Sequence, residues 1–393
     1  MAQHDNPLMD LNQALPLLGG LSATQFMRRH WHKTPLLVRH AAPGIAPLLT
    51  RTELFALADR EDVESRLVMR EGRRWSLRPG PLPRRALPPL SRANWTLLVQ
   101  GLELHLDAAH ALLSRFRFVP DARLDDLMVS YASDGGSVGP HLDSYDVFLL
   151  QVSGRRRWRY GRCVRPVLRN DVPLKMLKRF EPTESHLLGP GDMLYLPPGW
   201  AHEGTAVGSD CMTASIGFRA PTRGELARVL LERLADNVDD GPSTRYRDAA
   251  QVATAQPGAV PPTLQAFAQQ ALQRALAEPG AVARALGEWL TEPKPQVWFD
   301  GLHGLHEAAL RAGDGLVLDR RSRMGYDEQQ VFINGESFRA GGGDATLMRR
   351  LSDERALAPD EVRRLSAGAR ALIAEWLQAG WLHARREPPT RSA

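Results

Sequence analysis

Between Leu127 and Ala220 the chain is a succession of short apolar runs, LMVSYAS, DVFLLQVS, RRWRYG, DMLYLPP and CMTASIGFRA, separated by Gly, Pro and Asp. Runs this short, rich in aliphatic, aromatic and β-branched side chains, suit strands better than helices. Many such strands with turn residues between them close into an antiparallel sandwich, jelly roll or small barrel. The flanks differ. Ser22 and Gln25 have capping-box spacing and predict a helix, with a strand at LLV after Pro35. The proline-rich segment 76–90 predicts a loop, and ANWTLLVQGLELHLDAAHALLSRF predicts one or two helices from its apolar spacing. After Pro221 the period becomes helical: Thr222 and Glu225 repeat the capping box, and Leu226, Val229, Leu230 and Leu234 share one face. Residues 261–290 add one or two helices. The last ninety or so residues run from a possible strand, QVFINGESF, into helices ending LIAEWLQAGWLH, the pattern of a small α/β module.

A length of 393 residues exceeds what one hydrophobic core usually serves, so more than one domain is expected. The opening residues lack the basic-then-apolar pattern of a leader, and no stretch of about 18 apolar residues occurs, so the sequence predicts a cytoplasmic protein without membrane contact. Two cysteines are too few for a disulfide framework or a thiolate metal site, so any metal must be held by His and carboxylates. The net charge of +5 is uneven: residues 1–220 hold 28 basic against 22 acidic groups, while residues 301–393 hold 14 against 13. That balance argues against strong phosphate binding by the C-terminal part.

The chemistry-bearing residues lie within the strand-like region. In GPHLDSYDVF, His141 and Asp143 are two apart, and on a strand such side chains point to one side. His-x-Asp alone has little specificity. His202, behind the Pro197-Pro198-Gly199 turn, is 61 positions further on, a separation that a jelly roll can close. Two His and one carboxylate leave positions open on a metal, the arrangement of non-haem Fe(II) oxygenases. Arg156 in GRRRWRYG is read as lying on the strand following the one after the metal motif; facing inward, its planar fork suits the distal carboxylate of a 2-oxo acid. Ser130 is a possible hydroxyl neighbour, with a purely structural role equally open.

Taken together, HLD, RRRWR, PGDMLYLPPGWAHEG and SIGFRAP resemble the JmjC-type cupin oxygenases, and HWHKTPLLVR and AEWLQAGWL extend the resemblance to the bacterial ribosomal oxygenases. Members of that family hydroxylate an arginine of large-subunit ribosomal protein L-sixteen. The resemblance implies an α+β chain: a JmjC cupin over 1–220 with its double-stranded β-helix (jelly-roll) core at about 93–219, a helical dimerisation region over 221–300, and a winged-helix-like module over 301–393. It also implies Fe(II) on His141, Asp143 and His202, with 2-oxoglutarate, held by Arg156 and Ser130, and O2 as co-substrates. The expected partner is a ribosomal protein, in a homodimer that requires no nucleic-acid binding. For an arginine substrate, Asp134 and Tyr145 are candidate contacts, and Asp134 is equally readable as a turn residue. The alternatives are a JmjC enzyme acting on another residue, such as a histidyl hydroxylase or lysine demethylase, and a non-catalytic cupin serving binding or regulation.

Overall fold

Two long strands with apolar runs buried on both faces pair with each other, and the rest of the first unit is built on that pair. The computed structural model describes residues 10–45, 48–236, 245–301 and 313–385. Its chain divides into two compact units: residues 1–220 with 294–300 and 319–321, and the remainder. The first contains α1 (Ala23–Arg29), β1 (Leu36–Val38), α2 (Arg51–Ala58), β2 (Ser65–Glu71), β3 (Arg74–Pro79), β4 (Trp95–Val99), α3 (Asp107–Ser114), β5 (Leu124–Ala132), β6 (Val147–Arg162), β7 (Glu184–Leu188), β8 (Met193–Leu196) and β9 (Trp200–Phe218). All strand pairs are antiparallel, in the order β1-β8-β6-β9-β5-β4-β2-β3, with β7 also beside β6.

Both faces of β6 are buried. Phe148, Leu150 and Val152 join the large core with Trp95, Tyr131 and Tyr195, whereas Val147 and Leu149 join Trp158, Tyr160, Leu188 and Leu194 on the other side. The residues on this second side therefore change parity along the strand, from odd numbers at Val147 and Leu149 to even numbers at Trp158 and Tyr160. The cause is a break in register with β9: Gln151 pairs Thr213, but Arg155 pairs Val207. Gly154 sits at the break with φ +61°, and a Cβ there would lie 2.8 Å from the Asp210 carbonyl oxygen. Only a residue without a side chain fits.

Three expectations need correction. Residues 76–79 form the end of β3, paired to β2 through Pro79 opposite Arg66; β3 is the edge of the sheet, where a missing N–H is tolerated. WTLLV is strand β4 rather than helix, because its bulky apolar side chains fill a position between β2 and β5. The region read as two strands through DVFLLQVS and RRWRYG is one, so Arg156 lies on the strand that directly follows the metal motif. The predicted capping boxes at Ser22–Gln25 and Thr222–Glu225 are both present.

The second unit contains α4 (Arg223–Asp236), α5 (Pro262–Ala277), α6 (Ala281–Thr291), β10 (Gly315–Leu318), β11 (Met324–Tyr326), β12 (Gln330–Ile333), β13 (Glu336–Arg339), α7 (Gly342–Glu354), β14 (Ala356–Leu357), α8 (Pro359–Val362), α9 (Ala367–Gln378) and β15 (Leu382–Arg385). Its strands form two three-stranded sheets, β14-β10-β15 and β11-β12-β13, over a core that includes Leu316, Ile333, Leu351, Ile373 and Trp376. Helix α4 packs on α6 through Leu230, Leu234, Ala281 and Ala285. Helix α5 has no buried residue. No described helix is long and apolar enough to cross a membrane.

Candidate metal and co-substrate site

His141 lies just outside the regular strands, in a single antiparallel bridge with His202 near the start of β9. Each backbone N–H donates to the other's carbonyl, at 3.0 and 2.9 Å, which brings the rings to 4.2 Å between centroids. The strand expected through His141 and Asp143 is thus one bridge followed by a bend, yet the side chains converge. Nδ1 of His141 meets the Gly139 carbonyl at 3.0 Å, and Nδ1 of His202 meets the Trp200 carbonyl at 3.1 Å. A carbonyl only accepts, so both Nδ1 atoms carry the proton and both Nε2 atoms present lone pairs. Asp143 Oδ2 is 3.5 Å from His202 Nε2, and one ligand atom from each of the three residues lies within 4.8 Å of the others. Burial first, and the neighbouring His141 second, lower the pKa of His202 to about 4. The imidazole is therefore neutral, as a metal ligand must be.

Beside the cluster, the Trp158 ring lies 5.8 Å from that of His202, and a buried cation lies against it. Arg156 is 3% exposed and faces inward because of the parity change, while Arg155 and Arg157 are exposed. Its Nη2 donates to Ser130 Oγ at 3.4 Å, and its guanidinium lies 5.7 Å from the Trp158 ring centroid. No described carboxylate forms an ion pair with Arg156, and its Nε and the Trp158 Nε1 are buried donors without an acceptor. A buried arginine in this state is costly unless an anion joins it, and two orphaned donors in one interior fit a carboxylate ligand. Gly204 makes the arrangement possible: a Cβ there would come within 2.7 Å of the Trp158 ring and 2.9 Å of Arg156 Cδ.

The two expected substrate contacts separate. Asp134 is exposed, and its carboxylate accepts the Gly208 N–H at 2.8 Å. Gly208 is six residues along β9 from His202, roughly 20 Å of strand, so the structure does not bring Asp134 to the cluster. Tyr145 stays near it, 38% exposed, and its pKa is raised by partial burial and then by the carboxylates of Asp143, Asp126 and Asp125.

Three functional positions escape sequence reasoning. Trp158 and Gly204 support Arg156; the alternation in RRRWR is the signal that places Trp158 on its face. The third is Asp146, fully buried, which accepts the Tyr195 hydroxyl at 2.5 Å and meets His32 Nε2 at 3.0 Å. It ties the HWHKTPLLVR segment to the start of β6, three residues beyond Asp143, so this motif braces the metal motif.

The JmjC domain pattern matches residues 111–226, and a ROXA-like winged helix matches residues 270–383. The chain is 33% identical over 333 residues to the ribosomal protein uL16 3-hydroxylase of Escherichia coli, covering 80% of this chain and 85% of that one. It is 37% identical over 206 residues to a probable ribosomal oxygenase of Haemophilus influenzae, covering about half of each (51% and 50%). The X-ray structure of E. coli YcfD superposes with a TM-score of 0.82 at 29% identity, over 93% of this chain and 98% of that one. YcfD in complex with cobalt and 2-oxoglutarate superposes at 0.79 over the same shares. A jelly roll of this topology, followed by a winged helix and related to the E. coli hydroxylase over most of both lengths, belongs to the JmjC-domain ribosomal oxygenase family.

Proposed function

We propose that this protein is an Fe(II)- and 2-oxoglutarate-dependent dioxygenase that hydroxylates an arginine side chain of a large-subunit ribosomal protein in the cytoplasm. The observation that carries this reading is a single interior that holds both the His141–Asp143–His202 cluster and the unpaired Arg156 and Trp158 donors, with the Trp158 ring 5.8 Å from that of His202. In this assignment His141 Nε2, His202 Nε2 and an Asp143 oxygen hold Fe(II) and leave open positions. Arg156, with the Ser130 hydroxyl and the Trp158 indole N–H, takes the far carboxylate of 2-oxoglutarate. When bound, metal, co-substrate and O2 supply the oxidation: one oxygen atom enters a substrate C–H bond and the other enters succinate as CO2 leaves. The protein's part is orientation. Asp146, His32 and Tyr195 fix the metal motif, and the apolar walls at Val147, Leu149 and Leu194 exclude water.

A ribosomal-protein substrate is supported by the uL16 hydroxylase among the relatives, and the preference for arginine by Tyr145, a partly exposed ring close to the metal motif and suited to a guanidinium. We assign residues 1–220 to the catalytic cupin, 221–300 to self-association and 301–393 to the winged-helix-like module. Self-association is supported by α5, whose Leu264, Leu272 and Leu276 are exposed. The test is mass spectrometry of ribosomal proteins from cells with and without the gene. Gain of one oxygen atom at a single arginine of a large-subunit protein is expected. A gain on histidine supports a histidyl hydroxylase, and loss of lysine methylation supports a demethylase. The absence of any change supports a non-catalytic cupin.

A further inference from the structure

The proposed reaction gives no role to the positive excess of the first 220 residues, and much of that excess is local. Residues 162–179, between β6 and β7, hold six Lys and Arg against one acid, an excess of five that equals the whole chain's +5. The segment is a built hairpin: Arg169 N donates to the Met176 carbonyl at 2.8 Å and Lys178 N to that of Val167 at 2.7 Å. Its second leg is fastened to the metal motif. Leu177 N donates at 2.8 Å to the carbonyl of Pro140, the residue before His141, and buried Met176 packs against Gly139.

Arg162, Arg165, Lys175, Lys178 and Arg179 are all exposed, and none forms an ion pair with a described carboxylate; within the segment, the cation that does is Arg169, with Asp171 at 2.6 Å. The outward-facing Arg155 and Arg157 of β6 are exposed and unpaired in the same way. Interleaved with the cations are Val164, Val167 and Leu168, which are 80%, 56% and 45% exposed. A solvated charge run has no need of apolar side chains standing in water between its cations. Unpaired cations alternating with exposed apolar groups fit a polyanion whose charges are spaced by less polar surface.

We propose that the 162–179 hairpin is an RNA-docking surface beside the metal motif, its cations meeting phosphates and its apolar side chains lying against sugars and bases. The choice of RNA rests on the proposed function. An arginine-bearing segment is itself cationic and is repelled by this surface, unless it arrives on the RNA with which a ribosomal protein assembles.

The test uses the full-length protein, a labelled single-stranded RNA and fluorescence anisotropy across a salt series. Wild type is compared with the Arg165→Ser, Lys175→Ser, Lys178→Ser triple variant, which touches no residue of the metal or co-substrate site. Loss of the three cations is expected to weaken binding tenfold or more at about 0.1 M salt and to reduce the salt slope by about two. Thermal unfolding and substrate-free 2-oxoglutarate turnover are expected to stay unchanged. Equal RNA affinity and slope in the two proteins would overturn the proposal. So would the absence of RNA binding together with variant-sensitive binding to phosphatidylserine vesicles or to polyglutamate. If the triple variant loses RNA binding but no ribosomal protein is hydroxylated, the docking surface stands and the proposed reaction falls.

Discussion

Arg156 carries a full charge at 3% exposure with no described carboxylate beside it, and what relieves that cost decides the chemistry of the interior. If the relief is a 2-oxoglutarate carboxylate, Arg156→Lys keeps the charge but loses the planar fork. A lost charge-assisted hydrogen bond is worth about 1.5–3 kcal/mol, so KM for 2-oxoglutarate is expected to rise about 10- to 100-fold, read from steady-state kinetics. An unchanged KM would return the residue to a packing role. His202 makes a separate pH prediction. Its folded pKa, about 4, lies below the ordinary 6.5, so between these values the unfolded chain binds the additional proton. In metal-free protein, stability from this group is present above about pH 6.5 and is lost as pH falls toward 4. Melting curves in chelator are expected to decline over that window more steeply for wild type than for His202→Gln, and parallel declines would contradict the assignment.

The β6–β9 pair is where sequence becomes a site, because a register break at Gly154 selects which arginine of RRRWR enters the interior. At Gly204 a methyl group would meet both Trp158 and Arg156, so Gly204→Ala is expected to cost about 1–3 kcal/mol and to weaken 2-oxoglutarate binding. Denaturant unfolding and co-substrate titration check the two effects, and a variant with normal values for both would show that the interior has slack. The same pair marks the limit of legibility. Capping boxes at Ser22 and Thr222 are readable because they depend on residues three apart. Strand-like texture from Leu127 onward is readable because it depends on period two. The single strand through Gly154 is not, since a bulge is fixed by a partner some fifty positions away. Strand β4 escapes for the same reason: WTLLV gains its place from β2 and β5 on either side. His141, Asp143 and His202 are legible as types behind turns, whereas Asp134, attractive in sequence, is held by Gly208 far along β9.

In the first unit, a segment from late in the chain completes the fold: Lys294 Nζ lies 3.7 Å from Asp125 and 3.9 Å from buried Asp126. Burial, then Asp126, raises the pKa of Glu103 to about 7. Its folded pKa exceeds the ordinary 4.5, so its stability contribution is present below that value and is lost as pH rises through 7. Lys294→Met is therefore expected to lower the melting temperature more at pH 8, where Glu103 would ionise without its counter-charge, than at pH 5; equal losses would show that the lysine is not its partner. At the level of assembly, α5 leaves Leu272 64% exposed, and Leu272→Glu is expected to yield monomers by light scattering, with the cupin unaffected. A monomeric wild type, or a variant that keeps the wild-type mass, would contradict the proposed self-association through α5. The most direct measurement is a reaction of purified protein with Fe(II), 2-oxoglutarate, O2 and isolated large-subunit ribosomal proteins, following succinate and intact protein mass together. The account predicts one succinate per oxygen atom gained at one arginine, and loss of both in His141→Ala. Succinate production that persists undiminished in that variant would contradict it.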